Sequence, residues 1–122
     1  MAAPNIVNVT SIIGKTTYST PSTTSASVIL SNAASSGKVL KINLIIAANI
    51  DGTNAVNASV AINTLAAGAG TSNMIVSTLS TPASASLIVS DKSFYLEEDK
   101  SIVVTSGTAS KITYTISYEE IS

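Results

Sequence analysis

Apolar and polar residues alternate along most of this chain, and the period is two. In Val39-Leu40-Lys41-Ile42-Asn43-Leu44-Ile45-Ile46 the even positions Leu40, Ile42, Leu44 and Ile46 share one face, with Lys41 and Asn43 opposite. Val56, Ala58, Val60 and Ile62 alternate with Asn57, Ser59 and Asn63. Ile112, Tyr114, Ile116 and Tyr118 alternate with Thr113, Thr115 and Ser117. Side chains on a strand point to alternate faces, so each run predicts a strand with one buried face. No window carries helical periodicity. Leu65-Ala66-Ala67-Gly68-Ala69-Gly70 is alanine-rich, but its two glycines favour a loop.

Turn signals fall between the runs. Asp51-Gly52-Thr53-Asn54 reads as a hairpin turn, because Asp and Gly tolerate positive φ. Ser35-Ser36-Gly37, Pro82, Glu97-Glu98-Asp99-Lys100 and Ser106-Gly107-Thr108 divide the rest. The predicted strands lie near 6–12, 26–31, 39–50, 55–65, 73–80, 86–90, 101–106 and 111–120. Thr16–Thr24 contains Pro21 and reads as a loop or an edge strand, since proline cannot sit in a central one. Together these predict an all-β chain: one β-sandwich or jelly-roll-like domain of about eight antiparallel strands over 1–122. Residues 1–5 read as an arm ahead of it. The stretch from Met1 to Val7 reads either as the lead into a first core strand or as a segment that orders on assembly. In the second case Ala2, Ala3, Pro4, Asn5 and Ile6 contribute to an interface.

Composition narrows the chemistry. The chain has no His, Cys, Arg or Trp. Without His it lacks the side chain that titrates near neutral pH, and without Cys it has no thiolate or disulfide. Without Arg it has no bidentate phosphate clamp. Only 11% of residues are charged, against roughly 25% in ordinary soluble domains, so the polar surface must be largely Ser, Thr and Asn. A net charge of −1 and scattered lysines offer no footprint for nucleic acid. Met1-Ala2-Ala3-Pro4-Asn5 lacks the charged and apolar regions of a secretory signal. Val39–Ile50 is too short and too often interrupted to cross a bilayer. The expectation is a chain made in the cytoplasm, with no membrane partner.

Candidate reactive groups are few. Glu97-Glu98-Asp99 and Glu119-Glu120 are acidic clusters without a partner base or a glycine-rich ligand loop, and read as solvated charge. Ser35-Ser36-Gly37-Lys38 matches a Ser-x-x-Lys spacing, but it sits in a turn and no companion motif follows. Tyr114 and Tyr118 fall on the inward face of their strand and read as core residues, with a small exposed patch at Phe94-Tyr95 as the less favoured alternative. No catalytic residue, metal ligand or cofactor is expected, and an enzyme is not.

Several segments are similar to those of a family of small virion structural proteins in tailed bacteriophages, especially phages of marine bacteria. They are Asn5-Ile6-Val7-Asn8-Val9-Thr10 with Gly14-Lys15, Asn49–Val56, Pro82-Ala83, Leu87-Ile88-Val89, Tyr95-Leu96-Glu97-Glu98, Ser101–Val104 and Ile116–Ser122. The family pattern places Gly-Asp after Leu-Glu-Glu, where this chain has Asp99-Lys100, and a type I turn accommodates the change. The resemblance implies a β-sandwich subunit present in many copies on the virion, made in the host cytoplasm. Its expected role is decoration or cementing of the capsid, with the major capsid protein or other virion proteins as partners. It is expected to be a homo-oligomer, for which a trimer suits a capsid site. A neck, tail or fibre-associated protein is the alternative, and a receptor- or carbohydrate-binding module is an alternative of another class.

Overall fold

The computed structural model describes residues 8–122, so the arm and the interface residues Ala2, Ala3, Pro4, Asn5 and Ile6 lie outside the described residues. Nine strands follow one another: β1 Ile12–Ser19, β2 Ser27–Asn32, β3 Val39–Asn49, β4 Val56–Asn63, β5 Ser72–Thr81, β6 Ser86–Ser90, β7 Phe94–Leu96, β8 Lys100–Ser106 and β9 Ile112–Ile121. Every pairing is antiparallel. The first sheet runs β1-β9-β3-β6, with β7 beside β6 on the same flank of β3, and the second runs β2-β8-β4-β5. With short β7 set aside, first pairs with last, second with next-to-last, β3 with β6 and β4 with β5. That is a long hairpin folded over on itself, the jelly roll.

The core fills the space between the sheets. Ile42, Ile45, Ala47, Ile112, Tyr114 and Ile116 from the first meet Val56, Ala58, Val60, Ile102 and Val104 from the second. Tyr114 is fully buried beside its small cross-strand neighbour Ala47, and its hydroxyl donates to the Thr105 carbonyl at 2.9 Å. Burial holds that phenol's pKa above its ordinary value.

The inward face of β3 is not the one its alternation predicts. Ile42 pairs with Tyr118 but Leu44 with Ser117, so Asn43 is an extra residue, a β-bulge. The inward set changes there from Leu40 and Ile42 to Ile45, Ala47 and Asn49, and leaves Leu44 and Ile46 half-buried on the outer side. A second difference concerns Asp51–Asn54. Because β3 and β4 belong to different sheets, this turn crosses the sandwich and does not close a hairpin. The Asp51 carboxylate accepts from the Thr53 and Asn54 amides at 2.8 and 3.1 Å, which holds its pKa below the usual value.

The three connections that leave β2, β3 and β4 are fixed by one device. Each of these strands ends on a buried asparagine: Asn32, Asn49 and Asn63. Asn49 donates to the carbonyls of Asn54 and Thr81, both at 2.9 Å, and accepts from the Asp51 amide at 2.9 Å. Asn63 donates to the Gly70 carbonyl and the Ser72 hydroxyl, and accepts from the Leu65 and Gly70 amides. Asn32 donates to the Lys38 and Leu96 carbonyls and accepts from the Ser36 hydroxyl. A side-chain amide offers two donors and an acceptor oxygen, so one residue closes the polar groups of an entire corner.

Candidate interaction surface

The bulge at Asn43 shapes the surface of the first sheet. Turned outward by it, Ile46 lies in a cross-strand row with Tyr18, Thr115 and Ile88, one residue each from β3, β1, β9 and β6. Tyr18 is 74% exposed and Ile88 61%. The row on one side is Thr16, Ser117 and Leu44, and on the other Thr113, Ala48 and Ser86. None of these residues is charged. A surface of methyls and hydroxyls loses less on drying than an ionic one, so it suits contact with another protein.

The outer face of the second sheet carries a comparable row, Val28, Val103, Ala61 and Met74, but the chain covers part of it. The loop between β4 and β5 folds back over Val28 and Val103. A Cβ added at Gly68, where φ is +77°, would stand 2.5 Å from a Val28 methyl. Two polar contacts anchor that loop: the Ser101 hydroxyl donates to the Leu65 carbonyl at 2.8 Å, and the Ala66 amide donates to Asp99 at 3.2 Å.

The groups that looked reactive in the sequence are taken up in structure. Lys38 donates to Glu120 at 2.9 Å and the Ser36 hydroxyl donates to Asn32, while Ser35, the serine of the Ser-x-x-Lys spacing, sits in the turn at a φ of 57°. Glu120 also accepts from Lys15 at 2.9 Å. Hydrogen bonds from Lys38 and then Lys15 hold the Glu120 carboxyl below its ordinary pKa, and the same contact raises Lys15. Glu119 accepts from Asn43 at the bulge, and Glu98 from the Gly37 amide. Phe94 packs against the core while Tyr95 is exposed, so the two rings are split across β7 and form no joint patch. Asp99 takes φ 57°, a left-handed conformation, and not the type I turn expected there. No pocket opens among the described residues.

Strand order and pairing define the class of protein: a single-domain antiparallel jelly roll whose first sheet carries an uncharged outer patch, open among the described residues. No family model and no curated protein matches the chain. It is similar to a solved structure described as "Bacillus endospore appendages form a novel family of disulfide-linked pili", at 17% identity and a TM-score of 0.49, covering 90% of this chain and 86% of that one. The fold assignment rests on the strand pairing and not on this likeness.

Proposed function

We propose that this chain is a structural protein of a bacteriophage virion, a decoration or cement subunit on the head exterior that acts through protein contacts alone. The sequence resemblance spread from Asn5 to Ser122 supports the phage assignment. The observation that carries the mode of action is the bare outer face of the first sheet, uncharged from Tyr18 across to Ile88. A subunit of this kind needs no cofactor. Each copy adds a modest contact, and many copies around a lattice add up to a firm one. A non-enzymatic role is supported by the engagement of Lys38 with Glu120 in an ion pair and of the Ser36 hydroxyl with Asn32 in a turn.

Electron microscopy of purified particles with and without the protein tests this reading. Density lost at regular positions on the shell is the expected result. Loss confined to the neck or tail would move the protein there, and particles that never contain it would end the virion reading.

A further inference from the structure

The sandwich has four flanks where a sheet ends. Three are interrupted. The flank of β3 carries two short strands, β6 and β7, with a register shift where β6 pairs. The β2 pairing breaks register between Val28 and Leu30, and β5 does so twice against β4. Native edges are commonly blunted by such shortness and bulging. β1 is different: its eight residues pair with β9 without a register shift and contain no proline. Its one charge, Lys15, is held by Glu120. Ile12, Ile13 and Tyr18 are nonetheless exposed on it.

The direction of its open hydrogen-bonding groups can be read from the neighbouring ladder. Ser11 and Ser122 exchange both backbone hydrogen bonds, at 3.0 and 2.9 Å. Antiparallel pairs alternate between bonded and non-bonded, so Ile13, Lys15, Thr17 and Ser19 also face β9. Ile12, Gly14, Thr16 and Tyr18 therefore turn their N–H and C=O groups away from the sheet.

We propose that β1 pairs with β1 of a second copy, antiparallel about a two-fold axis through Thr16, which joins two first sheets into one. In this register Thr16 faces its own copy and Gly14 faces Tyr18, with the outward groups of all three residues bonded across the axis. A Cβ at Gly14 would meet nothing within 4 Å, so its outer side is free to receive the partner's Tyr18 ring, a pairing that stabilises glycine at sheet edges. Lys15 faces Thr17. An axis through Lys15 would set like charges directly opposite, which is unfavourable, and one through Thr17 shortens the overlap. The two-fold also carries the uncharged face of one copy into that of the next. This contact does not depend on the virion reading, and its test needs no particles.

The chain has no native cysteine, so Thr16→Cys introduces a single thiol on the proposed axis. Bonded antiparallel pairs have Cα atoms about 5.5 Å apart, within disulfide reach. Light scattering of the unaltered protein is expected to give twice the 12.3 kDa chain mass. Oxidised Thr16→Cys is expected to run as a covalent dimer, while Asn73→Cys on β5 stays uncrosslinked. Thr16→Pro removes an outward N–H but no bond to β9, and is expected to fold and to dimerise roughly tenfold or more weakly. A monomer at every concentration overturns the proposal, as when another segment of the same chain fills the edge. A dimer mass without the Thr16→Cys crosslink also overturns it, as does a folded Thr16→Pro that dimerises normally. If Thr16→Pro fails to fold, the mass and the crosslink still decide.

Discussion

The two sheets carry similar apolar rows on their outer faces, Tyr18-Thr115-Ile46-Ile88 on the first and Val28-Val103-Ala61-Met74 on the second, yet they end differently at the surface. The second is partly roofed by the chain's own loop, pinned through Asn63, Ser101 and Asp99, and its edges are bulged. The first keeps a bare face and one regular edge. The same physics applies to both: apolar rows and open backbone groups call for partners. In the second sheet the chain supplies its own cover, whereas in the first the proposed second copy would close the β1 edge and leave the face open.

Unpinning the roof should have the largest effect. Asn63→Ala removes hydrogen bonds to the Leu65 and Gly70 amides, the Gly70 carbonyl and the Ser72 hydroxyl. Each buried group left unpaired costs about 1–3 kcal/mol, so a loss of about 3 kcal/mol or more is expected in urea unfolding. Gly68→Ala attacks the same loop by crowding, with a Cβ forced to 2.5 Å from Val28 at positive φ, and about 2 kcal/mol is expected by the same measurement.

Acid should act on the first sheet through Glu120. Its carboxyl lies below the ordinary value of 4.5 because Lys38 and Lys15 bond it. A depressed folded-state pKa contributes stability above the unfolded pKa, which is lost as pH falls through the folded one. Stability should therefore drop below about pH 4.5. Glu120→Gln should flatten that part of the profile, measured by unfolding at a series of pH values. The smallest effect on folding should come from Ile88→Thr on the bare face. Ile88 is already 61% exposed, so a change within about 0.5 kcal/mol is expected. Substantial destabilisation there would mean that the face is not bare.

The same contrast governs how much was legible in the sequence. Strands with one buried face announce themselves by alternation and by the turn residues between them, and β2, β3, β4, β5, β6, β8 and β9 lie within two residues of their predicted bounds. β1 carries no such signal, because Ile-Ile-Gly-Lys-Thr-Thr-Tyr-Ser is exposed on much of both faces. The expected strand at 6–12 falls partly outside the described residues. The strand present starts at Ile12 and covers part of the stretch read as loop or edge, ending before Pro21. β7 is too short to show a period. The inward face of β3 was misread because a bulge depends on the partner strand, not on local sequence. In the sequence Asn49 and Asn63 look like ordinary polar positions; their one visible mark is a place at a strand end just before turn residues. The interaction surface follows from the bulge and the edge, so it was hidden with them.

Amide hydrogen exchange along β1, read residue by residue at low and high protein concentration, is the most direct test of the difference between the two sheets. The amides of Ile13, Lys15, Thr17 and Ser19 should be protected at both concentrations by their bonds to β9. Those of Gly14, Thr16 and Tyr18 should exchange quickly when dilute and slow together when concentrated. Rapid exchange of these three at every concentration would contradict pairing through the β1 edge, and equal protection at every concentration would show that the chain covers this edge by itself.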